Sequence, residues 1–244
     1  MKRLFLVICV YLFAYSVFAQ ENEKNAELNL SVDVASGFVW RGVSLNSAPV
    51  VMPEIALTVG KLTIGAWASV PFTPGEYQEL DIFASLQLTP SLSIGLADYF
   101  DSTPGWWSSP SYFNYKKEET SHTLDLLLIY DGEGSFPLKF TASTIIAGAD
   151  LKTKDGERKR NFSSYFELGY GNTTRYGIDW EVFAGFVPMK SEYYGIDDAA
   201  FTNIGFGVTR YFEITPTYSL PLSLRMSVNP AYEAVYFTAA IGLF

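Results

Sequence analysis

The feature that most constrains this chain is a period-two alternation of apolar and polar side chains that returns in one stretch of about ten residues after another. Leu28, Leu30, Val32 and Val34 alternate with Asn29, Ser31, Asp33 and Ala35. Pro53, Ile55, Leu57 and Val59 alternate with Met52, Glu54, Ala56 and Thr58, Leu62, Ile64, Ala66 and Ala68 with Thr63, Gly65, Trp67 and Ser69, and Leu80, Ile82, Ala84 and Leu86 with Glu79, Asp81, Phe83 and Ser85. Further along, Leu138, Phe140 and Ala142 oppose Lys139, Thr141 and Ser143; Ile178, Trp180 and Val182 oppose Asp179 and Glu181; Leu220, Leu222 and Leu224 oppose Ser223 and Arg225. After Ala19 no apolar run approaches the ~20 residues of a membrane-spanning helix. In a bilayer, a chain so patterned satisfies its backbone hydrogen bonds only as a closed barrel.

Counting these stretches, with less regular ones near 92–98, 124–130, 162–170 and 202–208 and a last one at 235–244, predicts about twelve strands. The fold expected is all-β: an antiparallel up-and-down transmembrane β-barrel, with ten or fourteen strands as alternatives because boundaries read from pattern shift by several residues. Long connections near 41–49, 71–77, 101–121, 150–161 and 188–199 alternate with shorter ones at 60–61, 89–91, 131–137, 171–175 and 213–218. That is the asymmetry of outer loops and periplasmic turns. The segment 229–233 is a short outer connection that breaks the trend. A soluble lipocalin-like barrel is the alternative fold, and it would turn the apolar face inward.

Residues 1–19 read as a cleaved secretory signal, with Lys2 and Arg3 ahead of an apolar stretch and Val17 and Ala19 in small-residue cleavage positions before Gln20. Residues 20–244 are then a single barrel domain. An N-terminal anchor is the competing reading. The only cysteine, Cys9, lies inside this segment, so the mature chain forms no disulfide. Removing Lys2 and Arg3 from 17 basic residues leaves 15 against 26 acidic ones, a balance that argues against nucleic acid as a partner. Aromatic residues make up 16% of the chain, which suits the girdles of a membrane barrel.

If the apolar face meets lipid, the opposite face lines the lumen. The pore-lining candidates are Asp33, Arg41, Glu54, Glu79, Asp81, Asp125, Lys139, Glu167, Asp179, Glu181 and Arg225, eight acids against three bases. Such a lumen favours cations, unless the charges pair across a narrow interior and fill it. No catalytic residue is assigned. The one histidine, His122, follows Ser121 directly, so on a strand the two side chains point to opposite sides, and the expected role is an exposed polar residue at a loop end. No cofactor pattern is present, and no metal pattern stronger than the neighbouring loop carboxylates Asp197 and Asp198, which are better read as solvated. The 150–161 loop, with Lys152, Lys154, Arg158, Lys159 and Arg160, could meet lipopolysaccharide phosphates or be a solvated charge run. The 101–121 loop, with Trp106, Trp107, Tyr112, Phe113 and Tyr115, either folds inward over the lumen or packs as a lid that extends the upper girdle.

The run SGFVWRGVSLN at 36–46, followed by GAWAS at 65–69, ELDIFASL at 79–86 and SIGLADYF at 93–100, resembles the TorF-type family of bacterial outer-membrane porins. The resemblance covers roughly the first third of the mature chain and implies a barrel channel, but it brings no site residues. Its most family-like piece is Trp40-Arg41-Gly42. From its parity, Arg41 is expected to pair with Glu79 or Asp81, and Gly42 to allow a tight departure into the loop.

The function expected is therefore an outer-membrane, porin-like channel for passive diffusion of small hydrophilic solutes, leaning toward cations. A non-conducting structural or adhesive barrel and a lipid-modifying enzyme are the alternatives. Partners are outer-membrane lipids, lipopolysaccharide, and the barrel assembly machinery through a C-terminal strand ending at Phe244.

Overall fold

The computed structural model describes residues 26–103, 110–132 and 137–243. The expected signal segment, Trp106, Trp107 and the terminal Phe244 lie outside the described residues. In chain order the strands are β1 (Ala26–Ala35), β2 (Phe38–Trp40), β3 (Val43–Asn46), β4 (Val50–Val59), β5 (Leu62–Pro71), β6 (Glu79–Thr89), β7 (Leu92–Asp101), β8 (His122–Asp131), β9 (Leu138–Gly148), β10 (Leu151–Lys154), β11 (Glu157–Arg160), β12 (Ser164–Thr173), β13 (Ile178–Val187), β14 (Ala200–Thr215), β15 (Tyr218–Asn229) and β16 (Ala234–Gly242). Twelve of them close into one antiparallel barrel. The other four form two small hairpins, β2–β3 and β10–β11, inside long connections.

Twelve strands, rather than ten or fourteen, follow from where the alternation is interrupted. Each wall strand meets its sequence neighbour in the wall, and β1 closes the circle by pairing with both β4 and β16. The β1–β4 register runs without a break from Ala26↔Val59 to Ala35↔Val50. The closing seam is much shorter, from Asp33↔Gly242 to Ala35↔Ala240. It is extended by Ser36 N donating to the Ala239 carbonyl and Leu243 N to the Val32 carbonyl, both at 2.8 Å.

The barrel is apolar outside and polar inside. Leu28, Leu30, Ile55, Leu168, Val182, Leu224 and Phe237 are exposed on its outer surface. The residues between them turn inward, where Ser69, Glu79, Asp81, Asp125, Ser143 and Ser227 are buried. A water-soluble barrel has the reverse arrangement, because exposing row after row of large aliphatic side chains forfeits the burial that stabilises it. One bulge alters the interior. Gly185 pairs with Asn203 but Phe186 with Phe201, so Thr202 is an extra residue. Thr202 and Asn203 are consequently both buried, although they are neighbours on one strand.

Buried apolar side chains gather at the end of the barrel that carries the long connections. Tyr165, Val187, Tyr194 and Ile196 pack together there, with Trp40 and Tyr193 against them. Three of these, Tyr193, Tyr194 and Ile196, come from the 188–199 connection and one, Trp40, from the 36–49 connection, so two loops have folded into the mouth of the barrel.

Candidate functional site

The first long connection enters the lumen because the seam releases it. Beyond Ser36, whose Oγ accepts from Ala239 N at 3.0 Å, the chain leaves the wall and forms the β2–β3 hairpin. Its tip is the pair Arg41 and Gly42, at φ 49° and 81°. Two successive positive φ values mark a type I′ turn, whose twist matches the flanking strands. Gly42 meets a second demand: a Cβ there would collide with the Thr202 carbonyl of β14. Asn229 of β15, fully buried, donates from Nδ2 to the Gly42 carbonyl at 2.9 Å. The glycine therefore seats the hairpin against the wall, a closer constraint than the loop departure expected of it.

Arg41 is the centre of the constriction. A non-glycine residue in the left-handed region costs roughly 1–2 kcal/mol, so its contacts must hold it there. Its Nη2 donates to Asp125 Oδ2 of β8 at 2.8 Å, with side-chain exposures of 9% for Arg41 and 0% for Asp125. Its Nη1 donates to Tyr194 Oη at 2.5 Å. The guanidinium lies 4.3 Å from the Trp40 ring centroid and 4.8 Å from that of Tyr165. Tyr99 Oη also donates to Asp125 Oδ2, at 3.3 Å. The expected pairing of Arg41 with Glu79 or Asp81 is thus corrected. The hairpin carries Arg41 off the end of the first strand and into the barrel, where Asp125 reaches it. Glu79 instead accepts from Tyr77 Oη at 2.9 Å.

The 188–199 connection completes the constriction. Tyr194 stacks on Trp40, with centroids 5.9 Å apart and an interplanar angle of 15°, and Tyr193 meets the same ring edge-on at 6.2 Å. Tyr232 Oη donates to the Tyr194 carbonyl at 2.6 Å. Asp150 accepts from Ser163 Oγ at 2.7 Å, and Ser163 and Ser191 share a hydrogen bond at 2.6 Å, so a buried polar chain fastens this loop to its neighbour. Burial pushes the phenols of Tyr193 and Tyr194 above their ordinary range, which keeps them neutral, and Tyr194 Oη serves as an acceptor for Arg41.

Two cavities flank this belt and share no lining residue. The one on the loop side, about 320 Å³, is walled by Trp40, Tyr77, Tyr99, Tyr193 and Tyr194 with Glu79 and Asp101. The one on the short-turn side, about 450 Å³, is walled by Lys139, Asp179, Glu181, Thr209, Ser223 and Arg225 among others. Arg225 Nη1 donates to Glu181 Oε1 at 2.5 Å, and its guanidinium lies 3.7 Å from the Phe183 ring centroid.

The eleven charged residues singled out from the sequence all sit on the inward parity or, for Arg41, inside the lumen. Glu79, Asp81 and Asp125 lie toward the loop end, and Glu167 accepts there from Tyr165 Oη and, at 2.7 Å, from Asn203 Nδ2. Lys139, Asp179, Glu181 and Arg225 gather at the opposite end. Asp33 faces inward beside Gly242 at the closing seam, and Glu54 shares the inward parity of buried Ala56. The constriction's aromatic residues, Trp40, Tyr165, Tyr193 and Tyr194, were not legible as a group, because they come from three distant parts of the chain. The adjacent tyrosines of an otherwise polar outer loop are the one signal that could have pointed to them.

Two further expectations change. His122 is 2% exposed rather than a solvated loop end. Its Nδ1 contacts Asp98 Oδ1 at 2.9 Å, and its Nε2 lies 2.6 Å from the Tyr112 carbonyl. Tyr115 stacks over the imidazole at 4.2 Å. His122 and Asp98 have the parity of Leu124 and Leu96, so this cluster is outside the barrel, roofed by residues 110–121 lying down against the wall. A backbone carbonyl occupies the nitrogen that would serve a hydroxyl nucleophile. Of the described part of the 101–121 loop, Tyr112 and Tyr115 therefore pack as an outer cover, while Asp101, Thr120 and Ser121 line the loop-side cavity. Asp197, weighed as a cation contact, is paired with Lys190 at 2.7 Å, which holds its carboxyl below the ordinary range.

No protein-family profile matches the chain. No curated protein matches it either. Among solved structures it is similar to the crystal structure of the COG4313 outer membrane channel from Pseudomonas putida F1. The identity is 12%, over 91% of this chain and 97% of that one, with a TM-score of 0.46. That likeness is one of overall shape, and the barrel assignment rests on the chain's own closed strand order.

Proposed function

We propose that this chain is exported by cleavage of residues 1–19 and works in a bacterial outer membrane as a porin-like channel for small hydrophilic solutes, with a lean toward cations. The observation that carries the proposal is the pair of polar cavities inside an apolar-coated barrel, the loop-side one lined by two acids and, among the described residues, no base, with a belt built largely of loops narrowing the mouth. Loops can move without breaking the barrel's hydrogen-bond ladder, whereas a wall cannot. The cation lean follows from the interior charge. Of the eight acids singled out from the sequence, Asp125 and Glu181 are paired with arginines, and the one further base among the candidates, Lys139, is paired with Asp131 rather than with any of the remaining six. The resemblance of SGFVWRGVSLN to TorF-type porins fits the same reading. The β10–β11 hairpin supports a contact with lipopolysaccharide phosphates, since Lys152 and Lys159 are cross-strand partners on one face of it.

A second reading, a non-conducting structural barrel, has one observation in its favour: the first hairpin touches Trp67 of β5, Tyr99 of β7, Asp125 of β8 and Asn229 of β15. Single-channel recording of the refolded protein in a planar bilayer under a salt gradient separates the two. Discrete conductance with a cation-biased reversal potential, moved toward anions by Glu181→Gln, is expected of a channel. A folded, heat-modifiable barrel that passes no current would leave the structural reading.

A further inference from the structure

The cavity on the loop side has the chemistry of a receptor for one class of solute. We infer that it binds small organic cations of the ammonium type, holding them above the constriction before passage. The inference deepens the channel reading and rests on it only for the direction of passage.

Its walls are aromatic and acidic. Trp40, Tyr99, Tyr193 and Tyr194 form a continuous group, with Trp40 in ring contact with each of the other three. Tyr77 stands across from them beside Phe38. Glu79 and Asp101 bring two carboxyl groups to the same space, and no lysine, arginine or histidine among the described residues lines it. Among the described residues neither carboxyl is in an ion pair. Glu79 accepts from the Tyr77 hydroxyl, and Asp101 accepts from Thr103 N at 2.9 Å. Two positions along the strand from Glu79, Asp81 is 9% exposed, and its Oδ1 has no hydrogen-bond partner among the described residues. Asp81 does not itself line the cavity, and it adds a further acidic side chain behind Glu79.

The neighbouring belt shows that these rings accept a cation. Arg41 lies against the faces of Trp40 and Tyr165, but its charge is matched by Asp125 and it does not line the cavity. The loop-side space is thus the same aromatic environment with acid in excess and no cation supplied by the chain. An alkylated ammonium group fits it better than a hydrated metal ion. Ring faces attract a diffuse positive charge and bury its alkyl shell, and the carboxyls fix the sign of the charge. At about 320 Å³ the cavity is at the small end of ligand sites, which run from roughly 300 to 1,000 Å³.

The test pairs choline with its neutral isostere 3,3-dimethylbutan-1-ol, titrated into the full-length protein folded in detergent and followed by calorimetry and tryptophan fluorescence. Choline is expected to bind at least about tenfold more tightly than the alcohol, the factor that one or two cation–π contacts supply. Asp101→Asn, at the half-exposed rim, and Glu79→Gln are each expected to weaken choline severalfold while the heat-modifiable mobility of the barrel is unchanged. Equal binding of the two probes, binding of neither, or choline affinity indifferent to both substitutions would overturn the site. The same preparation is examined in the bilayer. Conductance without choline binding overturns this inference and leaves the channel, whereas choline binding without conductance upholds the site and removes the channel.

Discussion

Replacing Asp125 with Asn takes one charge, and almost no volume, from the centre of the constriction. Asp125 is fully buried and its Oδ2, at 2.8 Å, is the only carboxylate partner of Arg41 among the described residues. The substitution leaves a guanidinium in a mostly buried site without a counter-charge, and breaking a buried pair in that way costs about 3–5 kcal/mol. The lumen is polar, so the lower end applies, about 3 kcal/mol. The barrel wall does not bear that cost, because the backbone of Asp125 stays paired with Ala97 and Ile145. It falls on the docking of the hairpin, whose departure also releases the roughly 1 kcal/mol stored in Arg41's left-handed backbone. At 1.36 kcal/mol per factor of ten, the ratio of undocked to docked hairpin rises by roughly 10²-fold or more. Single-channel records of Asp125→Asn are expected to show a larger open fraction, with heat-modifiability retained. Adding Arg41→Ala removes the lone charge, so the double variant departs from additivity. If Asp125→Asn conducts like the parent while folding normally, the ion pair does not govern the constriction and the reasoning fails.

Gly42→Ala attacks the same docking from the opposite side. With φ at 81° and the Thr202 carbonyl in the way, it is expected to cost more than about 2 kcal/mol of docking and to raise conductance as Asp125→Asn does; an unaltered trace would count against a seated hairpin. His122→Ala leaves Asp98 without its imidazole partner and Tyr115 without its stacking surface. Tryptic cleavage after Lys116 and Lys117 of the folded protein should accelerate several-fold, and equal cleavage rates would show that the cover is held by something else. Leu168→Arg places a charge on the outward face of β12, where the leucine is 52% exposed. If that face meets lipid, folding into vesicles should lose about 2–4 kcal/mol by denaturant titration, and a loss under 0.5 kcal/mol would place the residue in water.

Much of the wall is legible in the amino-acid sequence alone. Side-chain parity on a strand is a local property of the backbone, so the apolar and polar faces of β4, β6, β13 and β15 could be assigned from the alternation alone. Long and short connections separated the two ends of the barrel for the same reason. Parity also placed Glu79, Asp81, Asp125, Glu181 and Arg225 on the inside. It misjudged His122 only by leaving out what covers it, since a segment that folds back along the outside leaves no periodic trace.

What the alternation could not carry is the partnership of residues far apart in the chain. Arg41 is 84 positions from Asp125 and 153 from Tyr194, and nothing local to the Trp40-Arg41-Gly42 turn says that it points inward rather than into solvent. That direction depends on where the seam stops. β1 and β16 share few pairs, the chain is released at Ser36, and the nearest space large enough for a hairpin is the lumen. The bulge at Thr202 then fixes where the tip can rest, and closure of twelve strands fixes which walls lie within reach of it. The sequence by itself determined the barrel and the two faces of its wall. Only the tertiary structure decided that its mouth is narrowed by its own loops, because ring closure and register bring those loops and the facing strands together.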